Sequence, residues 1–503
     1  MGGSLSDLSS GAARRWGSAA ALIIPGDRSF TFGEIDALAA SFAGGMASRG
    51  IKRGDCVVLY LPNCWQWIVA YHAIARLGAV VIPANILLTP EDVLYMADDA
   101  GAQALIVPDD VKALLKAPVA FVVTPGGVPG TVSFDALTEA EPLPPAAMSS
   151  DDLLAISYTS GTTGKPKGVM LSHGNVAASV MHTATIHVRH AGDRIYSALP
   201  FPHVYGNVVM NACFITGARL VAPRRFDAGA ALAAIVEQHI TLFEGVPTMY
   251  YQMLAHPAIN FTDFSSLTRC TVGGQSMPTA KLDEVSARFG CPLLELWGMT
   301  ELAGPATSHS PYWPARYGSI GLPFPGTEVR LYDLEHPGRD AAPGAHGELA
   351  VRGPLVTRGY WNRPEATDEA LDPEGWLATG DIATRDADGY LFIVDRKKDM
   401  ILTAGYNVYP AELEQVLAAH ADVGMVAVAG FPDDEKGELA HAFIVLRDGA
   451  TVTAEMLIAH CRGHLAAYKV PRAIHFVDDL PRTGSGKIMR RALTPPGKSS
   501  ISS

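Results

Sequence analysis

Between Asp55 and Trp297 short β-branched, apolar runs alternate with helical patterns, and no other feature limits the possible folds of this chain so strongly. The runs are "DCVVLYL", "AVVIPAN", "QALIV", "VAFVV", "LLAISYT", "RIYSALP", "ARLVAP", "ITLFEGVP", "RCTVGG" and "PLLELWG". Strands separated by amphipathic helices build α/β layers around largely parallel sheets. One helix shows the pattern: in "PNCWQWIVAYHAIARLG" the apolar Trp65, Ile68, Val69, Ala73 and Leu77 recur at spacings of three and four. Pro62 marks its start and Gly78 its stop. Near residue 320 the chain turns to Gly- and Pro-rich connections with the shorter runs "GTEVRLYD", "HGELAVRG" and "GYLFIVD", which predict an antiparallel β unit. Beyond the charged string "DRKKDM", helix and strand patterns alternate over about a hundred residues, enough for a small α+β domain.

Length and composition set the class. At 503 residues the chain is too long for one small domain. Its 48% hydrophobic and 18% charged residues are those of a globular protein. A formal charge of -12 argues against general nucleic-acid binding, which depends on clustered Lys and Arg. The six cysteines show no C-x-x-C pair and no histidine at zinc-ligand spacing, the pattern of a reducing compartment. The apolar run Ala19 to Pro25 is too short for a secretory core, and no stretch approaches the ~20 apolar residues of a membrane span. The expectation is a cytoplasmic protein without an integral membrane segment. The tail "PPGKSSISS" has the composition of a disordered end.

The segment "SYTSGTTGKPKG", Ser157 to Gly168, carries three glycines, six hydroxyl side chains and two lysines without an acid. It follows the apolar strand "LLAIS", at a carboxyl end where open α/β sheets usually bind ligands. Glycines let backbone N–H groups approach an anion, hydroxyls add donors and lysines add charge, so a polyphosphate is the expected guest. The pattern G-x-x-x-x-G-K-[ST] is absent, because Lys165 is followed by Pro166, which disfavours an ordinary P-loop nucleotidase.

"YTSGTTGKPKG" resembles the phosphate loop of the adenylate-forming superfamily, which includes acyl-CoA and aryl-CoA synthetases, nonribosomal adenylation domains and firefly luciferase. Seven further stretches match in the same order: "LPFPHVYG", "GGQSMP", "LWGMTE", "GYWNRPEAT", "GWLATGD", "DRKKDMILTAGYNVYPAELE" and "LPRTGSGKIMRRAL". Together they cover nearly the whole chain. The resemblance implies an α/β fold with a large N-terminal AMP-binding domain, residues 1–395, of layered sheets and helices with a β-barrel-like subdomain. A small mobile C-terminal α+β domain, residues 399–503, follows a hinge near 396–398 centred on Lys398.

What the resemblance implies chemically is the joining of a carboxylic acid to AMP from ATP, with loss of pyrophosphate, and then transfer of the acyl group to coenzyme A. Activation needs positive charge and in-line positioning more than a side-chain nucleophile. Thr159, Ser160, Gly161, Thr162, Thr163, Gly164 and Lys167 would hold the phosphates. Glu301 and Thr163 would bind Mg²⁺, with Thr300 near the α-phosphate and Gly298 among the ATP/AMP-binding residues. Gly273 and Gly274 would admit adenine and acyl group, and Trp297 would stack on the adenine where the family commonly has Tyr. Asp381 and Arg396 would take the ribose hydroxyls. Lys487 is matched to the mobile lysine that bridges carboxylate and α-phosphate, a task suited to a long flexible stem with a point charge. Gly405 and Tyr406 would line the pantetheine tunnel.

His203, Tyr205, Gly206, Val209, Met210, Phe243 and Gly245 match the acyl-pocket regions. His203 reads equally as a gate or a packed aromatic. "VYGNVVMNACF" is mainly apolar without Lys or Arg, which disfavours dicarboxylic acids and leaves a fatty or aromatic monocarboxylic acid. An adenylation enzyme loading a carrier protein shares this core and stands as the alternative. A luciferase-like oxygenase lacks a positive cue, and a non-catalytic scaffold is disfavoured by the full set Lys167, Glu301, Asp381, Arg396 and Lys487. A homodimer is the assembly left open.

Overall fold

The computed structural model describes residues 4–110, 112–159, 166–336, 338–433, 435–482 and 488–495. The alternating runs form strands as expected, and they divide between two sheets. Seven strands lie in the order Val132–Ser133, Phe121–Thr124, Ala104–Ile106, Cys56–Leu59, Val80–Pro83, Leu153–Thr159 and Lys167–Ser172. All neighbours are parallel except the last pair. Nine strands form the second sheet, with a parallel centre running Ala20–Ile23, Arg219–Val221, Arg194–Ser197, Leu242–Gly245, Arg269–Val272 and Leu293–Met299. The edge strands Ser29–Thr31, Gly304–Ser308 and Leu322–Pro323 are antiparallel.

The layer between these sheets holds the main core. The helices Phe32–Ser48 and Trp65–Leu77 pack there, with Val57, Leu59 and Ile106 of one sheet and Ile195, Leu220 and Leu242 of the other in a single apolar cluster. The second helix begins and ends near the predicted signals, and Gly78 closes it in the left-handed conformation at φ 74°. It is not amphipathic in its surroundings: every residue from Trp65 to Leu77 except Gln66 is buried. A helix covered by sheets on two sides has no solvent face, so His72 is enclosed. Burial pushes its imidazole down to about 3, which keeps it neutral.

The antiparallel unit expected near residue 320 is a four-stranded meander of Glu328–Tyr332, Gly347–Arg352, Leu377–Arg385 and Leu391–Arg396. That is the form taken, among the described residues, by the subdomain expected to be barrel-like. The C-terminal unit has five strands: Ile401–Thr403, Tyr406–Val408, Val423–Asp433, Gly437–Leu446 and Ala473–Phe476. Helices Pro410–Ala418 and Ala454–His464 complete its separate apolar core.

The strand Leu293–Met299 carries a buried acid beneath the site. Glu295 accepts a hydrogen bond from Gly318 N at 2.8 Å, yet burial dominates and pushes its carboxyl up to about 8. Its protonated form therefore belongs to the folded state. A raised folded-state value gives stability that is complete in acid and is lost as pH rises from the ordinary carboxylate range to about 8.

Two outcomes follow. Gly78→Ala places a Cβ in the left-handed region and 2.7 Å from Met148 Sδ, so it should lower stability by about 1–2 kcal/mol, read from the urea midpoint of the first unfolding transition. Between pH 6 and 9 the parent protein should lose about 2–4 kcal/mol from Glu295, whereas Glu295→Gln should flatten that part of the thermal-midpoint profile.

Candidate active site

The phosphate-loop candidate is a hairpin connection. Thr159 pairs with Lys167 across the antiparallel strands Leu153–Thr159 and Lys167–Ser172, and the helix His173–Ile186 follows. Ser160, Gly161, Thr162, Thr163 and Gly164 lie outside the described residues. Lys167 is described: its ammonium stands 5.3 Å from the centroid of the Tyr360 ring. The Tyr360 hydroxyl donates to Glu301 Oε1 at 2.9 Å. Cation, phenol and carboxylate thus gather from three distant parts of the chain. Sequence reasoning quoted "GYWNRPEAT" as a match and gave Tyr360 no role.

Glu301 sits in the short turn Thr300–Leu302 at the end of the strand Leu293–Met299, and it is buried. Burial raises its carboxyl above the ordinary range, against the hydrogen bond from Tyr360 and the charge of Arg396. A cation beside it would favour the ionised form. Among the described residues no group of three or more His, Cys, Asp or Glu could hold a metal by itself. A single carboxylate suits Mg²⁺ that takes its remaining ligands from phosphates and water.

Trp297, Asp381 and Arg396 meet directly. Asp381 Oδ2 accepts from the indole Nε1 of Trp297 at 2.7 Å, and Oδ1 accepts from Arg396 Nε at 2.8 Å. Asp381 and Arg396 oppose each other in the antiparallel pair Leu377–Arg385 and Leu391–Arg396. A carboxylate has about four acceptor positions, so two remain for hydroxyls. Indole in place of phenol therefore does more than offer a stacking face, since its N–H fixes the acid. Gly298 has a packing reason as well, because a Cβ there would fall 2.0 Å from Gly304 O. Gly274 adopts φ 87°.

The C-terminal unit closes on this region. Gln275, next to Gly274, donates from Nε2 to Ile488 O at 3.0 Å and accepts from Ile488 N at 2.8 Å. Lys487 precedes Ile488 and lies outside the described residues. On the same side Arg490 binds Glu414 at 3.0 and 2.7 Å and Asp395 at 2.9 Å. Three more contacts join the helix Thr279–Phe289 to this unit. Arg447 pairs with Glu284 at 3.0 and 2.7 Å, Lys281 Nζ donates to Val423 O at 3.1 Å, and Thr279 N donates to Gln415 at 3.0 Å. Lys398 is exposed between the strands on either side of the junction. Gly405 and Tyr406 stand on the exposed hairpin of Ile401–Thr403 and Tyr406–Val408, where a Cβ on Gly405 would meet nothing within 4 Å. Tyr406 stacks on Tyr468 at 4.5 Å. This arrangement does not bring the two tunnel candidates to the nucleotide residues.

The acyl-pocket candidates separate by face. His203 caps the helix Val204–Thr216, its Nδ1 accepting from Tyr205 N at 3.3 Å. Gly206 packs where a Cβ would fall 2.3 Å from Pro200 O, so it serves close approach of helix and loop. Tyr205, Val209 and Met210 are buried. Phe243 stacks on Tyr196 at 5.0 Å and packs on Tyr250, and a Cβ on Gly245 would point the same way. The intervening Glu244 instead meets Tyr205. Strand alternation thus turns Phe243 and Gly245 toward Tyr250 and presents on the other face an acid, Glu244, that sequence reasoning passed over.

The AMP-binding enzyme family matches residues 10–361, and the AMP-binding enzyme C-terminal domain matches residues 412–487. A long-chain-fatty-acid–CoA ligase of Bacillus subtilis (strain 168) is 34% identical, over 93% of this chain and 90% of its own length. A feruloyl-CoA synthase of Amycolatopsis sp is 36% identical, over 92% of this chain and 93% of its own. Among solved structures, the anthranilate CoA ligase AuaEII in complex with anthranoyl-AMP superposes with a TM-score of 0.90 at 28% identity, covering 97% of this chain and 96% of that one. The chain belongs to the AMP-binding enzyme family, whose models cover both its large and its small unit.

Proposed function

We infer that this protein is an AMP-forming acid:CoA ligase acting on a monocarboxylic acid. The observation that carries the reading is the convergence of Lys167, Tyr360–Glu301 and Trp297–Asp381–Arg396 on one region, against which Gln275 holds the segment beginning at Ile488. No helix among the described residues is long and apolar enough to cross a membrane. ATP and coenzyme A as co-substrates point to the cytoplasm.

In the first half-reaction a carboxylate oxygen attacks the α-phosphorus of ATP. A C–O–P bond forms, the bond between α- and β-phosphate breaks, and pyrophosphate departs. Two anions must meet, so the protein's task is to supply fixed positive charge and alignment. Lys167 would face the phosphates, and Asp381 would accept the ribose hydroxyls with its orientation set by Trp297 and Arg396. Glu301 is placed to hold Mg²⁺, which when bound would neutralise phosphate charge. Lys487 supplies the charge that bridges the reacting oxygen atoms. In the second half-reaction the CoA sulfur attacks the acyl carbon, a C–S bond forms as the bond from the acyl carbon to the phosphate oxygen breaks, AMP leaves, and the thiol proton passes to solvent. That step requires Gly405 and Tyr406, now on an exposed turn, to face the adenylate, which a rotation about residues 396–398 would achieve.

Pyrophosphate exchange and CoA-thioester formation across a panel of fatty and aryl acids test the assignment; silence in both assays with ATP and magnesium present would refute it. Lys487→Ala should lower adenylation by at least about 100-fold and leave thioester formation from pre-made acyl-AMP largely intact. Equal loss in both halves would remove the lysine's assigned role. Gln275→Leu, which deletes both bonds to Ile488, should slow adenylation by about tenfold, as expected for lost positioning, and should act on kcat rather than on the KM for CoA.

A further inference from the structure

Beside the helix Val204–Thr216 the nine-stranded sheet carries charge where an alkyl-binding pocket would carry hydrocarbon. Glu244 and Thr271 are in register on neighbouring parallel strands. The Tyr205 hydroxyl meets both, 3.0 Å from Glu244 Oε2 and 2.7 Å from Thr271 Oγ1, and Thr271 also donates to the same carboxylate. Arg189 donates from Nη2 to Glu244 Oε1 at 2.6 Å, and both side chains are 0% exposed. The Nε and Nη1 groups of Arg189 have no partner among the described residues. His187 ends the chain of contacts. Ser308 Oγ donates to Glu295 O at 2.9 Å, so His187 Nε2, 2.8 Å from that Oγ, is the protonated nitrogen, and Nδ1 faces Arg189 at 3.5 Å. Burial, and then the Arg189 charge, hold this imidazole well below its ordinary value and therefore neutral.

The loop that delivers Arg189 is fastened from behind. Arg269 donates to the carbonyls of His187 and Val188 at 2.7 and 3.2 Å, and Asp193 binds Arg269 at 2.6 Å. Val188, a β-branched residue, is held at φ 52°. Such backbone persists only where the surroundings over-determine it. This segment is built to stay in place.

We propose that the Arg189–Glu244 pair, capped by Tyr205 and Thr271, is a closed polar floor to the acyl pocket that restricts the substrate to acids with a short body, an aryl ring or a short alkyl chain. The inference rests on the acid:CoA ligase reading of the site and names its substrate class. Depth decides it. Thr271 lies two residues before Gly273, the shoulder of the adenylate region, and two residues of strand span only about 7 Å. A chain of twelve carbons, with C–C bonds of ~1.5 Å, reaches well beyond that. To continue, its methylenes would have to cover a guanidinium with two unpartnered nitrogens and part a buried carboxylate from three donors. Stripping partners from buried charge is strongly unfavourable, whereas a phenyl ring or hexanoyl chain ends above the floor. Sequence inspection found no cation beside the acyl segment; the fold brings Arg189 there, but Glu244 neutralises it, so a second substrate carboxylate gains no net attraction.

The test is kcat/KM for CoA-thioester formation by the intact protein with benzoate, hexanoate, dodecanoate and palmitate. Benzoate or hexanoate should exceed dodecanoate by at least 100-fold. The double variant Arg189→Met/Glu244→Leu, which substitutes apolar side chains of similar size, should narrow that ratio at least tenfold through a lower KM for dodecanoate. Parity of dodecanoate with benzoate in the parent protein would overturn the floor and leave the ligase reading intact, and so would a folded double variant with an unchanged ratio. If the double variant does not fold, the parent profile alone decides. Failure to form any thioester would instead overturn the ligase reading itself.

Discussion

One buried carboxylate ties the parts of this molecule together. Asp381 is placed by the four-stranded meander, held by an indole from the nine-stranded sheet, and paired with Arg396, which ends the neighbouring strand of the same meander. The acid and its partners thus come from two structural units, the meander and the nine-stranded sheet. Because the acid is desolvated and both its oxygens are bound, small displacements of any unit break a charge-assisted hydrogen bond in a water-poor place, where such bonds matter most. The relative position of the two sheets is thereby registered on the atoms of one side chain.

The core of the molecule follows the same logic at lower resolution. Two sheets share the helices between them, which removes the polar face that a surface helix would keep. Trp65–Leu77 shows the result: its three-and-four spacing was visible in sequence, yet all its remaining positions except Gln66 are buried too, including His72 and Arg76. Neutral histidine and an arginine bound to Asp36 are the ways those polar groups tolerate enclosure.

Much of this was legible beforehand. The strand runs between residues 55 and 297, the Gly78 stop, the antiparallel unit and the small second domain all came from local pattern, because parallel strands buried on both faces leave long apolar runs. The division into two sheets was not visible, since strand order is a property of distant pairing. Lys167, Glu301, Trp297, Asp381 and Arg396 were found through motif context, whereas Tyr360 and Gln275 were quoted without a role because their partners lie far along the chain. The acyl wall exposed the sharpest limit. In "LFEGVP" the aromatic drew attention, but a one-residue alternation puts Phe243 against Tyr250 and sends Glu244 toward Tyr205. Arg189, outside every matched stretch, could be placed there only by the fold.

The seam between the large and small domains has its own physical character. Arg447 with Glu284, Lys281 with the Val423 carbonyl and Thr279 with Gln415 make it a polar contact, and the Arg447–Glu284 side chains are 42% and 32% exposed. Water can replace such bonds at little net loss, so parting the domains does not require exposing an oily surface. Dissolved ions screen exposed charges over ~8 Å at physiological strength. The strength of the joint between the two domains is thus set partly by the electrolyte around it.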